Sequence, residues 1–196
     1  MIERSQFAAI ITAAGESTRM GRTKALVPFN GLPLIDHQIA CLKGFGQIIV
    51  VTGHGGDEIL AHVGRALCVH NPDYQSGRSS SIEVGAKAIR EDLKGALIVG
   101  VDQPLVPDIL SELLMTFDPS TQLAALPVME ERRGHPVLCS SQLFLELEKC
   151  GDVKDGLRGI LARAGVKVCE VSVYDERIYA DLNCPEDVTH AEPFWL

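Results

Sequence analysis

Phe7-Ala8-Ala9-Ile10-Ile11-Thr12 runs straight into Ala13-Ala14-Gly15-Glu16-Ser17-Thr18-Arg19-Met20-Gly21-Arg22-Thr23-Lys24, and the fold turns on this join. A short apolar run without polar interruption, stopped by a glycine-containing loop, is the pattern of a strand buried on both faces. It recurs at Gln47–Thr52, which ends in Gly53-His54-Gly55-Gly56, and at residues 96–101, stopped by Asp102-Gln103-Pro104. Shorter strand candidates lie at residues 66–69, 122–127 and 166–173.

Helical patterns fill the intervals. Residues 34–42 carry apolar side chains at 34, 35, 39 and 42. Residues 57–67 open with Asp57-Glu58, favourable at the positive end of a helix. Residues 79–93 begin with three serines, good N-caps, and Glu83 strengthens that start. Further helices are predicted at 107–117, 142–149 and 156–164, with a short one from Pro185, and residues 130–135 read as an exposed hairpin or loop. Strands alternating with helices predict an α/β three-layer sandwich with a mainly parallel sheet. No linker, repeat or low-complexity tract divides the chain, so one domain is expected over residues 1–196.

The bulk composition narrows the classes of partner. A chain of 196 residues with 46% hydrophobic side chains can bury a full core. A net charge of −8 argues against a general nucleic-acid binder, although a few cations in a cleft still suffice for phosphate. The apolar run from Phe7 to Ala14 is too short to span a bilayer, and no small-residue cleavage pattern follows the first residues. The expected compartment is the cytoplasm, where six scattered cysteines without a C-x-x-C pair are reduced thiols.

In an open parallel sheet, ligands bind at the carboxyl ends of the strands, which is where the loop from Ala13 to Lys24 falls. Small residues at 13 to 15 let a ligand approach the backbone, and successive amides in such a turn form a concave anion site. Arg19, Arg22 and Lys24 add cations suited to a polyphosphate. An ordinary polar loop with surface cations is the bland alternative. The loop is not a Walker A motif, because its glycine spacing differs and Pro28 prevents a continuing helix, and it is not G-x-G-x-x-G. A dehydrogenase is thereby disfavoured.

Ala-Ala-Gly-x-Ser-x-Arg-Met-Gly-x-x-Lys-Ala-Leu, residues 13 to 26, resembles the signature loop of the molybdenum-cofactor nucleotidyltransferases, and within them the cytidylyltransferase branch. The resemblance implies a Rossmann-like fold of the nucleotide-diphospho-sugar transferase type. It implies that Ala13, Ala14, Gly15 and neighbouring amides hold a nucleoside triphosphate, and that Arg19 and Lys24 neutralise the departing pyrophosphate. Ser17 stands where many cytidylyltransferases have glycine.

Other segments fit the same scheme. Val99-Gly100-Val101-Asp102-Gln103-Pro104 puts a carboxylate just past a buried strand, where a hard Mg²⁺ ion could bridge protein and phosphate oxygens. The plainer reading is an Asp that starts a turn before proline. The resemblance implies a metal ligand at Asp102. Asn71-Pro72 through Gly77-Arg78-Ser79-Ser80-Ser81 is a turn before a serine-rich helix start, a place for phosphate or ribose, or for simple capping. It is similar to the family's Asn-Pro…Gly-x-Ser-Ser-Ser segment, which implies nucleotide contact by Asn71, Ser79 and Ser80. Gly134-His135-Pro136-Val137 is similar to the branch's substrate-facing segment, so His135 is expected to contact the acceptor; a lone His is more often structural. Asp181-Leu182-Asn183-Cys184-Pro185-Glu186-Asp187 resembles the family's Asp-x-Asp/Asn-x-Pro-Glu-Asp, with Cys184 for the usual Thr. This implies Asp181 as the second Mg²⁺ ligand, while Asp187 serves the positive end of the last helix.

Together these imply a Mg²⁺-dependent enzyme that moves CMP from CTP to a phosphate monoester, molybdopterin, and releases pyrophosphate. A molybdoenzyme or its chaperone would receive the product. Transfer to another small phosphate acceptor, use of GTP or ATP, and a non-catalytic nucleotide-binding accessory protein are the alternatives.

Overall fold

The structure is a computed structural model that describes residues 3–163 and 167–195. Its strands are β1 (Phe7–Ala13), β2 (Pro28–Phe29), β3 (Leu32–Pro33), β4 (Gln47–Thr52), β5 (Leu67–His70), β6 (Gly95–Gly100), β7 (Ala124–Met129), β8 (Arg132–Arg133), β9 (Val137–Ser140) and β10 (Val168–Ser172). Its α-helices are α1 (Leu34–Cys41), α2 (Gly56–Ile59), α3 (Arg78–Ala86), α4 (Pro107–Thr116), α5 (Phe144–Leu147), α6 (Gly156–Ala162) and α7 (Pro185–Ala191).

The main sheet runs β10-β7-β9-β6-β1-β4-β5, with β8 added to β7. The pairs β6/β1, β1/β4, β4/β5 and β7/β10 are parallel, whereas β9 lies antiparallel between β6 and β7. Every residue of β1 is buried, because successive side chains enter cores on opposite faces. Phe7, Ala9 and Ile11 pack with Leu34, Ile35, Leu110 and Leu113 of α1 and α4. Ile10 packs with Ile82 and Ala86 of α3, Leu147 of α5 and Ile160 of α6. Helices on both faces of a mainly parallel sheet make the expected three layers.

The long strands and the helices α1, α4 and α7 lie where the sequence patterns put them. Others differ. The helix predicted over 57–67 is only α2, since Gly64 takes a left-handed φ of 56° and the chain turns from Leu60 onward. The helix predicted over 79–93 stops at Ala86, and the Gln47 side chain takes over backbone groups beyond it, donating to Ala88 O at 2.8 Å and accepting from Arg90 N at 2.9 Å. The helix predicted over 142–149 is a 3-10 turn followed by the single α turn of α5. The strand predicted over 122–127 begins two residues later, at Ala124. Residue 164 of the predicted sixth helix and residue 166 of the predicted last strand lie outside the described residues. Residues 130–135 do form a hairpin, with Glu130 and Glu131 at φ 51° and 64°, the backbone of a two-residue I′ turn.

None of the cysteines is paired, and Cys139 and Cys150 are fully enclosed. Among the described residues no helix is long and apolar enough to cross a membrane.

Gly85 lets α3 lie close on the sheet. A Cβ there would sit 2.6 Å from Ile10 Cγ2 and 3.0 Å from Val51 Cγ2. Gly85→Ala would gain ~1 kcal/mol of helix propensity. The overlap with two β-branched side chains costs ~1–3 kcal/mol. A net fall in stability is expected in chemical denaturation, and a variant as stable as the parent would show that α3 can slide outward freely.

Candidate active site

The site is built at the carboxyl ends of β1 and β6. The loop leaving β1 is held from within: Ser17 takes a left-handed φ of 54°, its Oγ accepts from the Lys24 amide at 2.9 Å, and Met20 N donates to Ser17 O at 2.9 Å. It is held from outside by His54 N, which donates to Ala14 O at 3.2 Å, and by Thr23 Oγ1, which donates to Glu58 Oε2 at 2.8 Å. Gly53 permits this approach, for a Cβ there would be 2.7 Å from Ala14 O. Around Gly15, by contrast, the space that a Cβ would occupy is open. The loop is therefore fixed but not packed shut, and its glycine faces free volume.

Asp102 stands on the turn after β6, and a buried amide network fixes that turn. Gln38 of α1, fully buried, donates to Gly100 O and Gln103 O at 2.8 Å each and accepts from Leu105 N at 3.0 Å. Gln103 Oε1 accepts from Gly100 N at 3.0 Å, and Leu182 N donates to Asp102 O at 2.8 Å. That last bond draws residues 181–183 up against the turn.

The side chains then converge. Lys24 Nζ lies 2.8 Å from Asp102 Oδ2 and 3.1 Å from Asn183 Oδ1, and the same Asn183 oxygen accepts from Arg19 Nη2 at 3.1 Å. Residues more than 150 positions apart in sequence meet here. They line a cavity of about 150 Å³ together with Ala13, Gly15, Ser17 and Thr23. A second cavity of about 330 Å³ shares Gly15, Asp102 and Asn183 and adds Ala14, Tyr74, Arg78, Ser81 and Asp181. A third, of about 750 Å³, begins at Arg78 and runs past Arg132, His135, Arg158 and the apolar side chains of Ile82, Leu126 and Leu161.

Of the residues singled out by the sequence, Ala13, Ala14, Gly15, Arg19, Lys24, Asp102 and Asp181 meet around the first two cavities, and His135 lines the third. Asn71, Ser79 and Ser80 do not line those first two. Asn71 is buried, and its Nδ2 donates to Ser80 Oγ at 2.9 Å and Ser81 Oγ at 3.1 Å while its Oδ1 accepts from Asp73 N at 3.0 Å. Ser80 Oγ is engaged by Asp73 O and Gly77 O, so this pair braces the turn before α3. Ser79 lines the third cavity. Asp187 accepts from Asn183 N at 2.7 Å and Cys184 N at 2.9 Å, which closes the N-terminus of α7. Asn183, Gln103 and Arg78 went unassigned in the sequence, although Asn183 and Arg78 stand inside segments whose neighbours drew attention.

Asp102, Asp181 and Asn183 bring hard oxygen donors to the lining of one cavity, which suits a divalent cation that takes its other ligands from phosphates and water. Among the described residues no group of three or more His, Cys, Asp or Glu could hold a metal, so a closed structural metal cage is not the arrangement here.

His135 is held well below the usual imidazole range, at about 4, by burial first, then by the Arg78 charge, with Arg132 adding to the effect and Asp102 opposing it. It is neutral at pH 7 in the fold. As pH falls from 6.5 toward 4, the unfolded chain takes up a proton that the folded chain refuses, so stability is lost across that window. The loss is on the order of 3 kcal/mol at most. His135→Gln is expected to flatten the slope of unfolding free energy between pH 6.5 and 4. An unchanged slope would contradict this account.

Residues 9–168 match the MobA-like NTP transferase domain. The chain belongs to that family. This MobA-like transferase is 28% identical over 188 residues to the molybdenum cofactor cytidylyltransferase of Escherichia coli K12, covering 93% of this chain and 94% of that protein. In fold it is similar to a nucleotidyl transferase from Methanothermobacter thermautotroptrophicus, with a TM-score of 0.80 and 21% identity over 96% of this chain and 97% of that one. It is likewise similar to Rv0371C of Mycobacterium tuberculosis H37Rv in complex with manganese, with a TM-score of 0.79 and 20% identity over 96% of this chain and 98% of that one. The MobA-like transferase is thus a nucleotidyltransferase with a Rossmann-like, mainly parallel sheet.

Proposed function

We propose that this MobA-like transferase moves CMP from CTP onto the phosphate monoester of molybdopterin in the cytoplasm and releases pyrophosphate, with Mg²⁺ as the metal. The carrying observation is the meeting of Lys24, Asp102, Arg19 and Asn183 beside the open backbone at Gly15. The Ala13-Ala14-Gly15 triplet, which resembles that of the cytidine-using branch where the guanylyl branch usually has two glycines, and the named cytidylyltransferase relative favour cytosine over guanine.

In the reaction an acceptor phosphate oxygen attacks the α-phosphorus of CTP, the α–β bridging P–O bond breaks, and pyrophosphate departs. The nucleophile belongs to the acceptor, so no Ser-His or Cys-His pair is needed. The protein must align the two phosphates and stabilise charge on the leaving group. Backbone amides at Ala14 and Gly15 would face the triphosphate, and Lys24 and Arg19 would offset the charge that grows on pyrophosphate. Asp102 and Asp181 would hold the divalent cation, which supplies further neutralisation of phosphate charge when bound. Neutral His135 in the third cavity would contact the acceptor as a hydrogen-bonding group.

Pyrophosphate release is the direct test. It is expected with CTP plus molybdopterin and Mg²⁺, and not with CTP alone. In thermal-shift measurements CTP with Mg²⁺ should raise the melting temperature more than GTP, ATP or UTP, because a ligand specific for the folded state stabilises it. Release that is independent of the acceptor, or a preference for a purine nucleotide, would overturn the assignment.

A further inference from the structure

Arg78 is the residue common to the second and third cavities, the one beside Gly15, Asp102 and Asp181, the other running past His135 and Arg158. Its guanidinium is held by Gln103 Oε1, which accepts from Nη2 at 2.9 Å, and Gln103 is itself buried and tied to Gly100 N. Among the described residues no carboxylate lies within ion-pairing distance of Arg78. A guanidinium carries five N–H donors in a rigid fork, and one is engaged here, so the rest are unspent within the protein. Arg19 and Lys24 line the first cavity, on the loop after β1, and Arg78 does not.

We propose that Arg78 grips the phosphate of the acceptor at the junction of the two cavities and aims one of its oxygens at the α-phosphorus. This rests on the nucleotidyl-transfer reading above and adds to it a residue that touches the second substrate. An acceptor that enters by the large cavity must bring its phosphate past Arg78 to reach a nucleotide lying along Gly15 and Asp102. Two parallel N–H···O bonds from a fork match a phosphate monoester dianion and orient it, which a point charge does less well. The Gln103 contact keeps the fork in place without neutralising it, as a carboxylate would.

The test compares wild type, Arg78→Gln and Arg78→Lys in two measurements: titration with CTP and Mg²⁺ by calorimetry, and steady-state pyrophosphate release with molybdopterin varied. For Arg78→Gln the KM for molybdopterin is expected to rise ~10- to 100-fold, about the worth of a charge-assisted bond. The Kd for CTP should stay within ~3-fold, and Arg78→Lys should recover part of the loss. An unchanged KM for molybdopterin, or an equal loss of CTP affinity, would overturn the assignment of Arg78 while leaving nucleotidyl transfer standing. Wild-type protein that binds CTP and transfers it to no phosphate monoester would overturn the parent reading, and this one with it.

Discussion

Lys24→Ala is expected to lower turnover by ~10²-fold or more, with a much smaller effect on folding. The ammonium lies on the wall of the 150 Å³ cavity, its side chain 14% exposed, between Asp102 and Asn183. A cation so placed is screened less than one on the surface, so it acts strongly on charge that grows on a leaving phosphate. Before substrate arrives Asp102 occupies it, and an incoming triphosphate offers a stronger anionic partner. The folding cost is modest because Asp102, 27% exposed, still reaches water when Lys24 is gone. Lys24→Arg should restore little, since a longer planar fork does not reproduce a compact charge bonded to both Asp102 Oδ2 and Asn183 Oδ1. Steady-state kinetics with CTP and molybdopterin decide the matter: near-normal kcat in Lys24→Ala would falsify the role given to this side chain.

Asp102→Ala is expected to cost a comparable ~10²-fold or more in turnover, but through a different loss. Binding of Mn²⁺ to the CTP-loaded protein, followed by electron paramagnetic resonance, should weaken strongly in Asp102→Ala and persist in Lys24→Ala. The turn itself survives the change, because Gln38, Gln103 and Leu182 N hold its backbone and not its carboxylate. Asp102→Asn sharpens the comparison by keeping the shape and removing the charge. The two residues are in contact at 2.8 Å, so the double variant should lose less than the product of the single losses. Manganese binding that is unaffected in both Asp102 variants would move the metal elsewhere.

Much of this arrangement was legible in the sequence, for identifiable reasons. The unbroken apolar runs at β1, β4 and β6 name strands covered on both faces, and the loop after β1 must then lie at the ligand-binding edge. What escaped was decided by contacts remote in sequence. The four residues of β9 are all buried, yet nothing in Val137-Leu138-Cys139-Ser140 announces that they insert antiparallel between β6 and β7. The early end of α3 depends on Gln47, some forty positions away. At the site, Asn71 and Ser80 had the right chemistry for a ligand, but the turn before α3 consumes their hydrogen bonds. Asn183 escaped for the opposite reason: its importance lies in receiving Arg19 and Lys24 together, which only the folded chain reveals.

The bond from Leu182 N to Asp102 O and the two that reach Asn183 bear on synthesis as well as on chemistry. A growing polypeptide that has emerged only through β10 carries the loop after β1 and Asp102 but not Leu182 and Asn183, which bond to them. The full set of bonds around Lys24 therefore closes only after the ribosome has released the stretch around 181–183, so the last part of the chain to emerge completes a cavity that its first part begins.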